Sequence, residues 1–255
     1  MGRVSSHSPR PVPSAAPGPR FPTGAFTRDA LLDRLRALPV PLPRWGWVFP
    51  ALVLVLAAAL RFVGLTHPNA VVFDETYYAK DAWSLWHYGY ERSWPDGADA
   101  SFVAGHPVSP EDQGSYVVHP PLGKWMIALG YVLFGDSSPL GWRFSAALFG
   151  TLSIALVWWA GWLLFRSVSL ATIAGLVTAL DGLHLVESRL ALLDIFLMFF
   201  LLLAFVFALL DRDDGRRRLV ARWNLYRGGI DQAREQEQMT EGRRKGRDRS
   251  FPGKD

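Results

Sequence analysis

Apolar residues in this chain gather into long runs that are separated by polar and charged segments. The four longest runs cover residues 46–65, 143–165, 168–188 and 190–210. A helix of about twenty residues is roughly 30 Å long, which matches the hydrocarbon thickness of a bilayer. A soluble domain would instead repeat its apolar residues at the helical or strand period. The pattern therefore predicts an all-α polytopic membrane protein with about four transmembrane helices.

Two shorter stretches predict helices that lie at the membrane surface. Residues 122–134 are apolar but number only thirteen, which is too few for a span and predicts an interfacial or re-entrant helix. Residues 28–38 place several Leu on one helical face and predict a short amphipathic surface helix. The run at 46–65 could also be a secretory signal peptide, but its length, the Arg- and Pro-containing segment before it and the missing small-residue cleavage pattern disfavour that interpretation.

These elements divide the chain into three parts. Residues 1–44 combine Ser, Pro, Gly and Arg and predict a disordered, basic N-terminal segment. Residues 45–210 form the predicted transmembrane module, in which a polar loop, 66–142, separates the first span from the other three. Residues 211–255 are highly charged and predict a tail that is disordered or loosely helical.

Charge is segregated along the same boundaries. Residues 1–44 carry seven Arg and two Asp, the loop 66–142 carries three basic and nine acidic residues, and residues 211–255 carry thirteen basic and nine acidic residues. The positive-inside rule then places both ends in the cytoplasm and the loop outside the plasma membrane. Because the basic residues flank apolar runs, the pI near 9.6 indicates membrane topology and no nucleic-acid partner. The absence of Cys excludes disulfides, thiolate metal sites and Cys nucleophiles.

An adjacent pair of carboxylates, Asp74 and Glu75, stands near the start of the acidic loop. Neighbouring residues on a helix point about 100° apart, so one carboxylate can act as a general base while the other orients a partner or holds a cation. The alternative is an ordinary first turn of a helix, where acidic residues are favoured by the helix dipole. The sequence predicts no dedicated metal site, although an acidic pair near phosphates could recruit a divalent cation loosely.

Four further side chains could bind an anionic substrate group near the same face. Arg143 and Arg61 lie at the ends of predicted spans, where an unpaired guanidinium raises the free energy of the protein. A guanidinium also has the geometry to bind a phosphate. His119 and Lys124 flank a Pro-Pro pair and offer further donors. The alternatives are snorkelling of the Arg side chains into the interface and a plain helix start at the prolines.

The turn between the third and fourth predicted spans carries another polar cluster, which consists of Asp181, His184, Glu187, Arg189 and Asp194. Arg189 and Asp194 could contact substrate, or they could join Glu187 in a structural salt bridge that closes the turn. Together with the acidic pair, this arrangement predicts group transfer from a lipid phosphate to an acceptor hydroxyl outside the cytoplasm.

Four ordered motifs carry a resemblance to a known family. They are Val72-Phe73-Asp74-Glu75-x-x-Tyr78, His119-Pro120-Pro121-Leu122-Gly123-Lys124, Trp142-Arg143-x-x-x-Ala147-Leu148-Phe149-Gly150 and Ser188-Arg189-x-x-x-Leu193-Asp194. With these motifs the sequence resembles the protein O-mannosyltransferases, particularly the actinobacterial members. The resemblance covers roughly residues 60–210 and implies the N-terminal part of a GT-C glycosyltransferase.

The resemblance also implies a reaction. A polyprenyl-phosphate-mannose lipid would donate mannose, with inversion, to Ser or Thr of exported proteins. Asp74 resembles the catalytic base, Glu75 its essential neighbour, and Arg143 the arginine that binds the donor phosphate. Because family members have roughly twice as many residues, we expect this chain to correspond to their N-terminal half only.

Two alternatives remain open at the level of sequence. One is a GT-C transferase of another specificity, since the same carboxylate would serve a different sugar or a lipid acceptor. The other is a non-catalytic, truncated membrane protein, in which Asp74 and Glu75 would be replaceable. The oligomeric state and the acceptor proteins have no signature in the sequence.

Overall fold

The computed structural model describes residues 46–106, 108–116 and 118–249. The described part is all-helical, with one isolated β-bridge between Arg92 and Gly114. This confirms the predicted fold class. The predicted N-terminal segment 1–44, with its surface helix at 28–38, lies outside the described residues. The helices are α1 (Val48–Phe62), α2 (Glu75–Tyr88), α3 (Ala98–Val103), α4 (Leu122–Phe134), α5 (Pro139–Phe165), α6 (Val168–Leu180), α7 (Gly182–Glu187) and α8 (Asp194–Arg249).

Two helices, α5 and α8, are long and apolar enough to cross a membrane, judged by length and composition. Helix α5 has 27 residues, starts with Pro139 in its first turn and ends at Phe165, and Arg166, which follows it, has a left-handed φ of 55°. The predicted spans 46–65 and 168–188 contain the shorter apolar helices α1 and α6, of 15 and 13 residues. Helix α4 has the thirteen residues that the apolar stretch at 122–134 predicts.

The predicted span at about 168–188 does not form one continuous helix. Helix α6 ends at Leu180, and Asp181 takes an extended conformation with ψ of 125°. The carboxylate of Asp181 then accepts a hydrogen bond from the backbone N–H of His184 at 2.8 Å and so caps the short helix α7. An Asp that supplies an N-cap satisfies the free N–H groups of a new helix, which is why the chain stops and restarts here.

The last helix also differs from the sequence prediction. It begins at Asp194, four residues after the predicted start of the fourth span, and continues to Arg249. The predicted tail from residue 211 is therefore helical as far as the structure describes it. Arg, a good helix former, is the commonest residue of this segment.

The contacts divide the chain into two compact units, and every candidate site residue lies in the unit that spans Pro39–Arg216. Its main core packs α2, α3, α4, α5 and the start of α8 around Trp142, Ile127 and Ile195, each at most 1% exposed. Gly150 allows α5 to lie against the turn that follows α7, because a Cβ at this position would collide with the side chain of Ser188. This close approach brings the motif residues of α5 next to those of the turn.

Candidate functional site

The turn before α2 gives the two adjacent carboxylates opposite environments. Phe73 has φ of 53°, a left-handed conformation that is rare for residues other than Gly and costs about 1–3 kcal/mol. Helix α2 starts directly after it, with Asp74 at the N-cap. Asp74 is exposed, whereas Glu75 is completely buried. The pair is therefore separated into one accessible and one inaccessible carboxylate.

Asp74 opens into a cavity of about 270 Å³. The hydroxyl of Tyr78 donates a long hydrogen bond of 3.4 Å to its Oδ2. Burial, followed by the charge of Asp74, raises the pKa of Tyr78 to about 12, so this hydroxyl keeps its proton and remains a donor. The cavity is lined by Asp74, Tyr77, Tyr78, Asp81, Ser115, Tyr116, Val118, His119 and Lys124. We call it the Asp74 pocket.

Glu75 is held by a two-pronged ion pair with Arg143. Nε of Arg143 donates to Oε1 at 2.8 Å, and Nη2 donates to Oε2 at 2.7 Å. The carboxylate also accepts hydrogen bonds from the backbone N–H groups of Val72, at 3.1 Å, and Ala191, at 2.8 Å. With four donors around it, Glu75 has no free capacity for a cation shared with Asp74. The two carboxylates cannot chelate one metal ion in this arrangement.

Arg143 uses its remaining donors on the loop between α1 and α2. Its Nη1 donates to the carbonyls of Leu65 and Pro68 at 3.2 and 2.9 Å, and Nη2 donates to that of Ala70 at 2.8 Å. A guanidinium has five N–H groups, and Arg143, fully buried, uses all five on these carbonyls and on Glu75. The geometry therefore does not support the predicted contact between Arg143 and a donor phosphate. Arg143 positions the loop and Glu75 instead.

Arg61 is also buried and faces inward, so it neither snorkels nor presents its charge to a substrate. It donates to the carbonyl of Ala57 at 3.1 Å and to Nδ1 of His184 at 2.8 Å. Because Arg can only donate, Nδ1 of His184 is the acceptor and the ring proton sits on Nε2. This Nε2 has no hydrogen-bond partner among the described residues.

Arg189 closes the end of α1. Its guanidinium donates to the carbonyls of Leu60, Arg61, Val63 and Gly64 at 2.6 to 3.2 Å. The carbonyls of Leu60 and Arg61 are among those that a helix leaves without partners at its C-terminus. The interpretation of Arg189 as part of a salt bridge with Glu187 and Asp194 is therefore wrong, because backbone carbonyls take its hydrogen bonds.

Lys124 belongs to a buried triad that the sequence did not reveal. Its ammonium donates to Asp81 at 2.9 Å and to Glu91 at 2.8 Å, and its side chain is 1% exposed. The two carboxylates lie 43 and 33 residues away along the chain, and the only sequence signal was the acidic excess of the loop. Lys124, in α4, thus binds both α2 and the segment that follows α2. The two carboxylates balance its positive charge within the protein.

The triad predicts a specific pH dependence of stability. Burial, which outweighs the attraction of Lys124, raises the pKa of Asp81 above its ordinary value. The folded state therefore binds this proton more tightly than the unfolded chain, so the contribution of Asp81 to stability falls as pH rises from the ordinary Asp pKa through the raised value. We expect Asp81→Asn to flatten this part of the profile in thermal unfolding of the purified chain in detergent.

The control for this prediction is Asp99→Asn. Asp99 pairs with Lys80 at 2.6 Å but is 42% exposed, and exposed pairs contribute little. Asp99→Asn should show the same pH dependence of stability as the unsubstituted chain. A profile that is equally steep in Asp81→Asn would contradict the role given to Asp81.

Besides Asp74, the predicted site residues His119 and Asp194 are accessible. Both are exposed, and both line a second cavity, of about 360 Å³, between α4 and the start of α8. The rings of His119 and Tyr78 meet edge to face at 5.7 Å. The charge of Asp194 also contributes to the raised pKa of Tyr78, which places it within electrostatic reach of that hydroxyl. Within the described residues, no group of three or more His, Asp or Glu side chains could hold a metal ion.

Comparisons with known proteins agree with the motifs. Residues 118–222 match the family described as dolichyl-phosphate-mannose-protein mannosyltransferase. The polyprenol-phosphate-mannose–protein mannosyltransferase of Mycolicibacterium smegmatis is 38% identical over 215 residues, which cover 82% of this chain and 36% of the relative. The protein of that name in Mycobacterium tuberculosis is 36% identical over 211 residues, covering 82% of this chain and 35% of the relative.

A more distant relative is the dolichyl-phosphate-mannose–protein mannosyltransferase 4 of Saccharomyces cerevisiae, which is 31% identical over 183 residues, 64% of this chain and 20% of the relative. The chain spans about a third of the length of the curated bacterial relatives that it matches. No solved structure matches it. On the identity shared across most of its length, the chain belongs to the dolichyl-phosphate-mannose-protein mannosyltransferase family.

Proposed function

We propose that this chain carries the acceptor-activating part of an enzyme that transfers mannose from a polyprenyl-phosphate-mannose lipid to Ser or Thr of exported proteins. The observation that carries the proposal is the separation of the acidic pair, with Asp74 open to a pocket and Glu75 locked to Arg143. The names of the relatives supply the donor class and the protein acceptor. The acidic loop and the basic ends support a reaction at the outer face of the plasma membrane.

In the proposed reaction Asp74 is the general base. It takes the proton from the acceptor hydroxyl as the hydroxyl oxygen bonds to C1 of mannose, and the bond from C1 to the phosphate oxygen breaks. The lipid phosphate leaves with the bonding electrons, and the configuration at C1 inverts. A general base typically contributes 10²- to 10⁴-fold to a rate. The hydrogen bond from Tyr78 orients the Asp74 carboxylate for this task.

The remaining predicted site residues receive different roles. Arg143 positions Glu75 and the loop before α2, while Arg61, Lys124 and Arg189 hold the surrounding helices and loops. Asp194 accepts hydrogen bonds from sugar hydroxyls at the mouth of the second cavity. His119 remains as the accessible hydrogen-bond donor among the predicted ligands and binds the donor phosphate.

A chimera tests the proposed function. The matching segment of the M. smegmatis relative is replaced by this chain, and mannose transfer to a Ser/Thr peptide is measured in membranes with a panel of lipid-phosphate sugars. We expect transfer with the mannose donor. A correctly inserted chimera that transfers no sugar would contradict the function, and one that prefers another sugar donor would assign a different specificity.

His119→Gln in this chimera should raise the KM for the lipid donor about tenfold or more, because a hydrogen bond to a charged group is worth about 1.5–3 kcal/mol. The value of kcat and the KM for the peptide should change much less. His106→Gln is the matched control, since His106 is exposed in the same loop and lines neither of the two cavities. An unchanged donor KM in His119→Gln would remove His119 from the donor site.

A further inference from the structure

One face of α8 is apolar in the charged part of this helix. Within residues 217–234, Leu219, Trp223, Tyr226 and Ile230 follow one another at intervals of four, three and four residues. In an α-helix these positions fall within a sector of about 60° and so form a single stripe. The rings of Trp223 and Tyr226 lie 5.9 Å apart, centroid to centroid. We call these four residues the α8 stripe.

Most of the α8 stripe is exposed. Leu219, Tyr226 and Ile230 are 61%, 64% and 37% exposed. An amphipathic helix normally buries its apolar stripe against another surface. A row of exposed apolar side chains with a polar rim therefore indicates an interaction surface.

Arg residues border the α8 stripe on both sides. Arg222 lies along one edge, Arg227 and Arg234 lie along the other, and all three are exposed. Residues 217–234 carry five Arg and one acidic residue, Asp231. Asp231 lies about a third of a turn away from Leu219, outside the stripe. The surface is therefore apolar along its centre and positively charged along its edges.

This combination of charge and apolar groups fits an anionic phospholipid surface. A helix in the plane of a membrane buries its apolar face at the boundary of headgroups and acyl chains, while its basic side chains reach the phosphates. The segment begins seven residues after Leu210, where the apolar run of α8 ends, so a bilayer surface lies within its reach.

Charge disfavours the other occupants. A second copy of the segment would bring the same Arg residues together, and like charges beside an apolar seam oppose pairing of helices. The N-terminal residues 1–44 of this chain carry seven Arg and two Asp, so they are positively charged as well. Of the surfaces that would cover an apolar stripe, the anionic bilayer alone also attracts its edges.

We propose that residues 217–234 bind anionic phospholipid headgroups, in the cytoplasmic leaflet of the predicted topology, with Leu219, Tyr226 and Ile230 at the boundary between headgroups and acyl chains. This binding goes beyond the proposed mannose transfer and does not depend on it. Gly215 precedes the segment, and a glycine weakens a helix interior enough to permit a change of direction there. The attraction should require anionic lipid and should be screened by salt.

The test uses single fluorescent labels, which the absence of native Cys makes possible. Ile230→Cys, in the stripe, and Gln232→Cys, about 200° away around the helix, are each labelled in the full chain with an environment-sensitive dye. Each protein is reconstituted in vesicles of phosphatidylcholine, or of phosphatidylcholine and phosphatidylglycerol in equal parts. The vesicles contain a nitroxide quencher near the top of the acyl chains.

We expect anionic lipid to bring the stripe alone to the quencher. The Ile230→Cys label should be quenched about twofold or more in excess in the anionic vesicles, and about 1 M salt, with a Debye length of about 3 Å, should remove the excess. The Gln232→Cys label should be quenched equally in both kinds of vesicle.

Charge variants test the cause of the quenching. Arg222→Gln/Arg227→Gln/Arg234→Gln should remove the excess quenching of the Ile230→Cys label in anionic vesicles. The corresponding triple replacement by Lys should keep it, because Lys retains the positive charge. Gln and Lys are comparable helix formers, so loss of the helix does not explain a difference between the two variants.

Four outcomes would overturn the proposal. The first is equal quenching of the Ile230→Cys label in neutral and anionic vesicles, and the second is equal excess quenching of both labels. The third is a response that grows with the density of protein in the vesicles, which would assign the stripe to a second copy of the chain. The fourth is a response to added RNA in place of anionic lipid, which would assign a nucleic-acid partner. None of these outcomes bears on mannose transfer by the chimera.

Discussion

Mannose transfer should fall by about 10²- to 10⁴-fold when Asp74 is replaced by Asn in the chimera with the full-length relative. Asn cannot take the proton of the acceptor hydroxyl, yet it has nearly the same shape and can still accept the hydrogen bond from Tyr78. Because Asp74 is exposed, the substitution should not change the thermal unfolding of the protein. Rates are measured with saturating donor and peptide, so that the loss is assigned to the chemical step.

Asp96→Asn is the matched control for this prediction. Asp96 is exposed in the same acidic loop and does not line the Asp74 pocket or the second cavity, so its replacement should leave the rate unchanged. Transfer by Asp74→Asn within threefold of the unsubstituted chimera would exclude Asp74 as the base. The same outcome would favour the non-catalytic alternative for this carboxylate.

The second large effect concerns stability. Arg143→Met should lower the free energy of unfolding by about 3–5 kcal/mol, the usual cost when one partner of a buried ion pair is removed. The substitution leaves the Glu75 carboxylate buried without its cation, and it leaves the carbonyls of Leu65, Pro68 and Ala70 without a donor. The loss is measured by denaturant or thermal unfolding in detergent, together with proteolysis of the loop 63–73, which should become faster.

Two comparisons make this prediction decisive. The double variant Glu75→Gln/Arg143→Met should lose less stability than the sum of the two single variants. Each single substitution is destabilising mainly because it leaves the other charged group buried without a partner. Asp112→Asn removes the fully exposed partner of Arg92 and should not move the unfolding midpoint. If Arg143→Met instead keeps its stability and raises only the donor KM, Arg143 is a phosphate ligand as the family resemblance implies, and the positioning role is wrong.

Sequence reasoning predicted the helices because a bilayer leaves a strong signature in composition. Runs of about twenty apolar residues are typical of membrane-spanning helices, and α5 and the apolar part of α8 lie where such runs occur. The break at Asp181 was missed because a capping carboxylate and a buried functional carboxylate look the same in the sequence. Only the bond to the N–H of His184 distinguishes them.

In the candidate site, the adjacency of the acidic pair is visible in the sequence, whereas the partners of the basic residues are not. Asp74 and Glu75 are adjacent, so their different environments follow from one turn at Phe73. The partners of the cations leave no comparable trace. Arg143 and Arg189 bind mainly backbone carbonyls, which every residue possesses, and the partners of Lys124 are distant in the chain. A basic residue near a membrane face therefore suggests a phosphate ligand until its hydrogen bonds are known.

The contact between Arg189 and the end of α1 has a consequence for synthesis. The guanidinium and the four carbonyls that it binds are separated by 125 to 129 residues. The ribosome thus releases the end of α1 long before this guanidinium exists, and other donors must satisfy those carbonyls in the meantime. The hydrogen bonds that complete the end of the first helix can therefore form only after the turn before the last helix has been translated.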